Sequence, residues 1–254
     1  MPRFFIRRDQ IEGEKLCLLG EDAHHVARSL RMAVGDEITV CDMQGTEYAC
    51  EIASFEDDRV VWARILSCKH AENELPFRVT LFQALPKGDK LDTVIQKAVE
   101  CGVCEIVPFE SERCVVRVKA DAEERKTERR ARIAAEAAKQ SGRSLLPTVC
   151  PTVGFDEMLA RAGESDLCLF CYEGDDVVPL GEILRTHRDE LRGEKGDFSV
   201  SVVIGSEGGF SQREVQAARD AGFCPVGLGK RILRTETAPI FALSCLVYLA
   251  ELDG

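Results

Sequence analysis

The chain has 254 residues, of which 45% are hydrophobic and 30% charged, so it can bury the core of one large domain or of two smaller ones. Its longest apolar run, from Pro239 to Ala250, is shorter than a membrane-spanning helix, and its N-terminus lacks the apolar segment of a signal peptide. We therefore expect a cytoplasmic protein. The net charge of −11 argues against indiscriminate binding to nucleic acid.

The charge is distributed unevenly along the chain. Residues 156–198 hold twelve acidic and five basic side chains, whereas residues 87–143 hold eleven acidic and thirteen basic ones. Much of the negative charge therefore lies in one stretch, and the composition is compatible with a local basic groove elsewhere.

Residues 1 to about 72 have the pattern of short strands joined by turns. One helix is predicted from Glu21 to about Met32, before a turn at Val34–Asp36. This pattern predicts a small β-barrel, followed by a polar linker over residues 70–76. The predicted strands are Glu37–Cys41, Thr46–Ile52 and Arg59–Leu66, and the predicted turns between them are Asp42–Gly45 and Asp57-Asp58.

From Phe77 onwards, predicted strands alternate with predicted helices. Asp89 is the predicted N-cap of a helix that ends at Gly102, and the apolar residues between them recur at the helical period. Alternation of this kind indicates an α/β fold with a parallel sheet covered by helices. The strands are predicted at Arg78–Ala84, Val103–Pro108, Leu167–Tyr172, Ser199–Ile204 and Pro225–Gly227, and the other helices at Glu123–Ser141 and from Pro239.

A glycine-rich turn, Gly205–Phe210, follows the β-branched strand Ser199–Ile204. Ser211 and Glu214 then form a capping box that starts a helix. A strand, a glycine turn and a helix N-terminus together make a ligand-binding edge in α/β sheets, because glycine lets the backbone approach a ligand closely. The alternatives are an ordinary tight turn or a phosphate cradle, and the spacing does not match a dinucleotide-binding fingerprint.

A second unusual loop, Leu228–Ala238, lies between a short strand and the last helix, whose first turn accepts Pro239. It holds several charged side chains and the apolar pair Ile232-Leu233, which is unusual in a fully solvated loop. Such a pair could form a wall against an adenine ring while backbone groups bind the edge of that ring. The alternative interpretation is a solvated charged loop.

Twelve cysteines include two pairs with CxxC spacing, Cys101/Cys104 and Cys168/Cys171. A split zinc site or a redox dithiol is one interpretation of such pairs. We favour buried thiols in a reducing compartment, because Cys168 and Cys171 lie in an apolar run typical of a core strand.

Two motifs, GSEGGFSQRE at 205–214 and LGKRILRTETA at 228–238, resemble the paired cofactor loops of the SPOUT RNA methyltransferases. Within that class they are most similar to the family that methylates N3 of a uridine in small-subunit (16S) ribosomal RNA. Ser206 departs from the family, which usually has proline there, and so do Cys101 and Cys104. The other segments that agree with the family are His24–Arg31 with Gly35-Asp36; Lys87–Leu91, Gln96–Glu100 and Gly102-Val103; and Ser111–Arg113 with Ala137–Arg143.

The resemblance implies two domains. Residues 1–72 would be a PUA-like β-barrel that helps to hold RNA, and residues 73–254 a SPOUT methyltransferase domain whose C-terminal chain is threaded into a trefoil knot. Local spacing does not predict a knot, because knots are rare exceptions among folds. The resemblance also implies S-adenosyl-L-methionine as cofactor, a homodimer, and a target uridine in the decoding region of the small ribosomal subunit.

The implied reaction is an attack of uracil N3 on the methyl group of S-adenosylmethionine, which calls for a proton acceptor or an oxyanion stabiliser and requires no metal. Arg234 is the candidate to stabilise charge on a uracil carbonyl oxygen or to position a phosphate. Glu236 or Glu207 is the candidate to accept the N3 proton, although either could instead fix the loops by hydrogen bonds to the backbone. The candidate cofactor-binding residues are Leu169, Tyr172, Glu173, Ile204, Gly205, Glu207, Gly208, Gly209, Leu228, Gly229, Ile232, Leu233, Thr235, Thr237 and Ala238.

The candidate RNA-binding residues are basic side chains that would chiefly contact phosphate. Each one alone could be a solvated surface charge, and His25 could be a packed histidine. The candidates are Arg3, His25, Arg28 and Arg31 in the predicted barrel, and Lys87, Lys90, Arg113, Arg117 and Arg143 in the predicted catalytic domain.

Three rival functions fit parts of the same pattern. A SPOUT enzyme that methylates the ribose 2′-hydroxyl of transfer or ribosomal RNA would have the same fold. A non-catalytic RNA-binding or ribosome-assembly factor would have the fold without binding the cofactor. A phosphate-binding enzyme could use the glycine loop, but the chain has no GxxxxGK[ST] motif.

Overall fold

The structure is a computed structural model that describes residues 1–56, 59–117, 120–194 and 196–253. Its contacts divide the chain into two compact units. Unit 1 comprises Met1–Glu74 and Ala138–Leu146, and unit 2 comprises Leu75–Ala137 and the chain from Pro147 onwards. The turn predicted at Asp57-Asp58 lies outside the described residues.

Six strands form the curled sheet of unit 1: β1 (Arg3–Phe5), β2 (Ile11–Glu12), β3 (Lys15–Leu19), β4 (Glu37–Cys41), β5 (Thr46–Phe55) and β6 (Val60–His70). Their order is β1-β4-β5-β6-β3-β2, with β1 parallel to β4 and the other neighbouring pairs antiparallel. Register shifts bend β5 against β6 around a core that includes Phe4, Leu16 and Ile52. The three strands predicted from sequence are confirmed, and the structure adds three short ones.

The helix predicted from Glu21 to about Met32 is shorter in the structure. α1 (Gly20–His24) continues into a π-helical turn that ends at Ser29. Arg31 then has a φ of 53°, a left-handed conformation that a right-handed helix cannot continue through. The turn predicted after this helix is confirmed by the φ of 96° at Gly35.

Eight parallel strands form the sheet of unit 2: β7 (Arg78–Ala84), β8 (Glu105–Glu110), β9 (Thr148–Val149), β10 (Val153–Gly154), β11 (Leu167–Cys171), β12 (Val178–Pro179), β13 (Ser199–Ile204) and β14 (Cys224–Gly227). Seven of them follow the order β10-β8-β7-β13-β11-β14-β12, and β9 pairs with β8. The predicted α/β fold with a parallel sheet is confirmed.

Seven helices belong wholly or mainly to unit 2: α2 (Lys90–Glu100), α3 (Ala120–Ser141), α4 (Phe155–Ala162), α5 (Leu180–Thr186), α6 (Arg188–Leu191), α7 (Gln212–Asp220) and α8 (Ala238–Val247). A π-helical turn, Tyr248–Leu252, follows α8. Within the described part of the chain, no helix has the length and apolarity needed to cross a membrane.

The helix predicted after Asp89 is present as α2 and buries the apolar face expected from its period, which includes Leu91 and Ile95. Asp89 is its N-cap, but the carboxylate makes no capping hydrogen bond, which corrects the prediction. Gly102 ends the helix with a φ of 88°, as predicted. The next strand starts at Glu105 rather than Val103, because the chain first leaves this left-handed turn.

The central strands bring the two loops predicted to bind a ligand to the same edge of the sheet. β13 pairs with both β7 and β11, and β11 pairs with β14. All of these strands are parallel, so their carboxyl ends lie together. The loop after β13 and the loop after β14 therefore leave the sheet as neighbours.

Candidate cofactor-binding site

A cavity of about 820 Å³ opens at the carboxyl end of the parallel sheet in unit 2. Its walls come from the loop after β13, from the loop between β14 and α8, and from the chain that follows β11. A volume of this size is typical of small-molecule and cofactor sites.

The first wall is the glycine-rich loop Gly205–Phe210. It turns tightly, because the Gly209 N–H donates to the Ser206 carbonyl over 2.9 Å and Gly209 has a φ of 61°. A Cβ on Gly205 would lie 3.2 Å from the Gly209 Cα, so a side chain there would require the turn to shift by a few tenths of an ångström. The loop thus requires glycine at positions where its backbone faces the cavity.

The loop is fixed at its far end by Phe210 and by the start of α7. The Phe210 ring lies with its centroid 4.4 Å from that of Phe170 in β11. The predicted capping box is confirmed: the Glu214 N–H donates to Ser211 Oγ over 3.2 Å, and the Ser211 N–H donates to Glu214 Oε2 over 2.9 Å. A rigid turn therefore separates the strand from the helix.

The second wall, the loop Leu228–Ala238, is tied to the first by a buried side-chain network. Thr235 Oγ1 donates to the Gly205 carbonyl over 2.7 Å. Gln83, at the end of β7, is fully buried and donates from Nε2 to Thr235 Oγ1 over 3.0 Å. Sequence reasoning missed Gln83, although a polar residue in an otherwise apolar strand was the available signal.

Lys90 joins both loops at the rim of the cavity. Its ammonium lies 2.8 Å from Glu207 Oε1 and 3.4 Å from Glu236 Oε2. The Lys87 N–H also donates to Glu207 Oε1 over 3.1 Å. Burial alone raises the pKa of Glu207, but the hydrogen bonds from Lys90 and Lys87 outweigh it, so the net shift of this pKa is downward.

Arg113 supports the outer side of the glycine loop. Its Nη1 donates to the Gly208 carbonyl over 2.9 Å, and its Cβ would lie 3.0 Å from a Cβ built on Gly208. Arg113 therefore contacts the loop closely only because residue 208 has no side chain.

The third wall follows β11. Tyr172 lies over Gly174, where a Cβ would come within 2.2 Å of its ring, and it accepts a hydrogen bond from Gln212 Nε2 over 3.3 Å. Glu173 also lines the cavity, and partial burial raises the pKa of its carboxyl. The chain thus places an aromatic ring and a carboxylate on the same wall.

The structure brings most of the predicted cofactor-binding residues together. Leu169 and Thr237 are exceptions: Leu169 is a fully buried core residue of β11, and Thr237 is the N-cap of α8 outside the cavity lining. These two residues are therefore not among the cofactor contacts that we propose below. The predicted residues that line the cavity are Tyr172, Glu173, Ile204, Gly205, Glu207, Gly208, Gly209, Leu228, Gly229, Ile232, Leu233, Thr235 and Ala238.

The predicted catalytic residues occupy two positions relative to the cavity. Arg234 and Glu207 line it. Glu236 does not, and its side chain is instead directed to Lys90. The two glutamates are nevertheless neighbours, because Lys90 contacts both of them.

Two predicted RNA-binding residues, Arg143 and Arg3, are largely buried against internal partners. Arg143 is 3% exposed and donates from Nε to Glu74 Oε2 over 2.9 Å. Arg3 donates from Nη1 to Glu47 Oε2 over 2.8 Å and is largely buried. Neither guanidinium is exposed, and neither is kept among the RNA contacts proposed below.

The remaining predicted RNA-binding residues lie at or near the surface of their own unit. His25 is exposed, and its ring lies edge-on to Phe4 with centroids 6.5 Å apart, so both a packed and an RNA-facing role fit it. The other residues in this group are Arg28 and Arg31 in unit 1, and Lys87, Lys90, Arg113 and Arg117 in unit 2.

The paired cysteines lie where the sequence placed them. Cys168 and Cys171 belong to strand β11, and burial raises the pKa of Cys168 to about 12 and also raises that of Cys171. Thiols with raised pKa values are poor nucleophiles and poor metal ligands. Among the residues whose placement is described, no group of three or more His, Cys, Asp or Glu side chains is arranged to hold a metal.

Comparison with known proteins connects this geometry to a family. The family model of the RNA methyltransferase domain matches residues 73–247, and that of the RNA methyltransferase PUA domain matches residues 18–61. The ribosomal RNA small subunit methyltransferase E of Bacillus subtilis is 38% identical over 99% of this chain and 98% of its own length. That of Synechocystis is 32% identical over 98% of this chain and 78% of its own length.

Solved structures agree with these relatives. The ribosomal RNA small subunit methyltransferase E of Neisseria gonorrhoeae, bound to S-adenosyl methionine, is 33% identical and superposes with a TM-score of 0.84 over 98% of both chains. A putative methyltransferase of Legionella pneumophila, in complex with the same cofactor, is 32% identical and superposes with a TM-score of 0.81 over 96% of both chains. The chain therefore belongs to the RNA methyltransferase family that includes the ribosomal RNA small subunit methyltransferases E.

Proposed function

We propose that this protein transfers a methyl group from S-adenosylmethionine to N3 of a uridine in the decoding region of 16S ribosomal RNA. The observation that carries the proposal is the cavity between the loops Gly205–Phe210 and Leu228–Ala238. It occurs in a chain that is similar over nearly its whole length to a small-subunit methyltransferase bound to this cofactor.

The residues around the cavity fit such a cofactor. Gly205 and Gly208 expose backbone where even a Cβ would make a tight contact, with the loop in the first case and with Arg113 in the second. Leu228 and Leu233 supply apolar surface for a purine, and Glu173 supplies a carboxylate for a ligand that carries a positive sulfonium centre. Bound there, S-adenosylmethionine supplies the electrophilic methyl group.

The chain's own residues would then orient uracil and handle its N3 proton. Arg234, exposed at the cavity, is the proposed donor to a uracil carbonyl oxygen, where negative charge grows as N3 loses its proton. Glu236 is the proposed acceptor of that proton. Glu207 is the weaker base of the two candidates, because its hydrogen bonds from Lys90 and Lys87 hold its pKa below the ordinary value.

RNA would be held by both parts of the chain. We propose residues 1–72 as a PUA-like RNA-holding domain and residues 73–254 as the methyltransferase domain, with the knotted C-terminal threading that the family implies. The exposed cations Arg28 and Arg31 are the proposed phosphate contacts in the first, and Lys87 and Arg117 in the second. Arg117 also forms an ion pair with Glu110, with which a phosphate would compete. We propose that the protein acts in the cytoplasm, because its proposed substrate is ribosomal RNA.

We also propose a homodimer. The end of the chain leaves large apolar side chains uncovered, with Phe241 38%, Tyr248 55% and Leu252 69% exposed. Apolar surface of this kind at one element is typical of an interface between protein chains.

The reaction is tested with small ribosomal subunits, or 16S RNA, that lack the modification. After incubation with S-adenosylmethionine, nucleosides are separated and identified by mass spectrometry. We expect 3-methyluridine at one position. A 2′-O-methyl nucleoside would establish the rival SPOUT reaction instead, and no methyl transfer together with no cofactor binding would favour a non-catalytic RNA-binding factor.

The cofactor site is tested by calorimetric titration of Gly205→Ala with S-adenosylmethionine. The added Cβ comes within 3.2 Å of both the Gly209 Cα and the Phe210 ring, so we expect affinity to fall by about tenfold, or roughly 1.4 kcal/mol. Gly154→Ala is the matched control, since a Cβ there meets no atom within 4 Å. Equal affinity in both variants would place the cofactor elsewhere.

A further inference from the structure

Five cations line the cavity, and the structure divides them into two groups: Lys90 and Arg113 in one, and Lys230, Arg231 and Arg234 in the other. The first group is engaged with the glycine loop. Lys90 contacts Glu207 and Glu236, and Arg113 donates to the Gly208 carbonyl. These two cations already have partners, and a phosphate group would have to compete with them.

The second group has no such partners. Lys230, Arg231 and Arg234 are exposed, and none of their side chains forms a hydrogen bond or an ion pair with any residue that the structure describes. They lie within five positions of one another in a chain whose net charge is −11. Three unpaired cations so close in sequence repel each other. Binding of an anion beside the loop would reduce this repulsion.

The cofactor itself supplies only one anionic group. S-adenosylmethionine carries a sulfonium and an ammonium group against one carboxylate, so its net charge is positive. Glu173 is the lining carboxylate without a partner among the described residues, and it suits that cofactor. The unpaired cations of the second loop therefore fit a different ligand, and a polyanion that reaches the mouth of the cavity matches them.

We propose that Lys230 and Arg231 contact the phosphates that flank the target nucleotide of the RNA, and that Lys90 and Arg113 are positioning residues that hold the glycine loop. The assignment rests on the proposed function, because it identifies which cations of that site take the RNA backbone. It reverses the sequence-based expectation, which placed Lys90 and Arg113 on phosphate and did not include Lys230 or Arg231.

The test compares three double variants that each remove two positive charges. The loop pair is Lys230→Gln with Arg231→Gln, and the anchor pair is Lys90→Gln with Arg113→Gln. The control pair is Arg125→Gln with Arg132→Gln, two exposed cations of α3. For each, affinity for a 16S RNA fragment is measured by fluorescence anisotropy over a series of salt concentrations, and affinity for S-adenosylmethionine by calorimetry without RNA.

We expect the two affinities to separate. The loop pair should make the negative slope of log affinity against log salt shallower by about 1.5, because each lost phosphate contact removes roughly 0.7–0.9 from its magnitude. It should leave the affinity for S-adenosylmethionine within about twofold of the wild type. The anchor pair lowers cofactor affinity about tenfold, as the loss of charge-assisted hydrogen bonds predicts, and leaves the salt slope unchanged. The control pair changes neither quantity.

Several results would overturn the assignment: an unchanged salt slope in the loop pair, an equal fall in the control pair, or a lower slope with intact cofactor affinity in the anchor pair. If the anchor pair does not fold, the single variants Lys90→Arg and Arg113→Lys are measured instead. Each keeps the positive charge that holds the glycine loop, so each must retain the wild-type affinity for S-adenosylmethionine. RNA affinity is measured without methyl transfer, so its outcome is separate from that of the proposed reaction. A wild-type protein that binds RNA as predicted but transfers no methyl group contradicts only the reaction.

Discussion

At the scale of single residues, the Gln83 side chain helps to connect the two cavity loops, Gly205–Phe210 and Leu228–Ala238. Its amide donates to Thr235 Oγ1, and Thr235 in turn donates to the Gly205 carbonyl. Gln83 Oε1 is buried without a hydrogen-bond partner in the described structure, so the side chain is retained at an energetic cost. Such a cost is consistent with a role in holding the loops in the geometry that binds a ligand.

Replacing Gln83 with Leu should weaken binding of S-adenosylmethionine about tenfold with little loss of stability. The substitution removes the bridge to Thr235 and also removes the unpaired Oε1, so the net change in the free energy of unfolding should stay within about 1 kcal/mol. Calorimetric titration and urea denaturation measure the two quantities. A double-mutant cycle with Thr235→Val is the control, and purely additive effects on affinity would show that the two side chains are not coupled.

At the scale of elements, the ends of α2 and α7 are built alike but differ in what surrounds them. At Gly102 the N–H donates to the Val99 carbonyl, and at Gly222 the N–H donates to the Arg219 carbonyl. Both glycines have positive φ angles, 88° and 85°. A Cβ on Gly102 would come within 2.7 Å of Leu75 Cδ1, whereas one on Gly222 would meet no atom within 4 Å.

Alanine at these two positions should therefore destabilise the protein to different extents. Gly222→Ala should cost about 1 kcal/mol, for a left-handed backbone that alanine disfavours. Gly102→Ala should cost that amount plus roughly another 1 kcal/mol, because Leu75 must move. Urea denaturation of both variants gives the difference, and equal losses would mean that Leu75 accommodates the methyl group freely.

The contact between the start of α2 and the glycine loop should also respond to pH. Burial raises the pKa of Glu207, but the hydrogen bonds from Lys90 and Lys87 lower it more, so its folded-state pKa lies below its unfolded one. The stabilisation from this carboxylate is then complete above the unfolded pKa and is lost as the pH falls through the folded one. Lys90→Gln removes the main hydrogen bond to Glu207 and so raises the folded-state pKa of this carboxyl towards the unfolded one. The variant should therefore lose less stability than the wild type as the pH falls, and that loss should be complete at a higher pH. Thermal unfolding followed across the acidic range measures this, and superimposable pH profiles would contradict it.

Sequence patterns were sufficient where the cause of a structure is local. The capping box at Ser211 and the apolar face of α2 each depend on residues within a few positions of one another, and both were predicted. The pairing of Gln83 with Thr235 joins residues 152 positions apart, which no local pattern contains. Arg143 was assigned to RNA for the same reason, because its partner Glu74 is distant in sequence.

At the scale of the whole molecule, α8 and the turn that follows it expose large apolar side chains that are not buried within the chain. Five of the ten residues of α8 are buried, yet Phe241 in the helix, and Tyr248 and Leu252 just after it, remain exposed. The chain has a net charge of −11, which opposes association, so this uncovered apolar area has to offset charge repulsion if the protein is a dimer. Dimerisation should consequently strengthen as salt screens that repulsion.

The homodimer predicts that two aspartates on this surface will produce a monomer. The double variant Tyr248→Asp with Leu252→Asp places two carboxylates where apolar side chains would be buried in the interface. The free-energy cost of desolvating these carboxylates should exceed the free energy gained from the remaining interface contacts. Sedimentation velocity should give a dimer for the wild type and a monomer for the double variant. Val115→Asp, at another strongly exposed apolar residue, is the control and should remain dimeric. A dimeric double variant would assign the interface to another surface, whereas a monomeric wild type would contradict the dimer itself. Cofactor titration of the monomer then decides whether each subunit holds a complete site, because a site shared across the interface loses its affinity when the dimer dissociates.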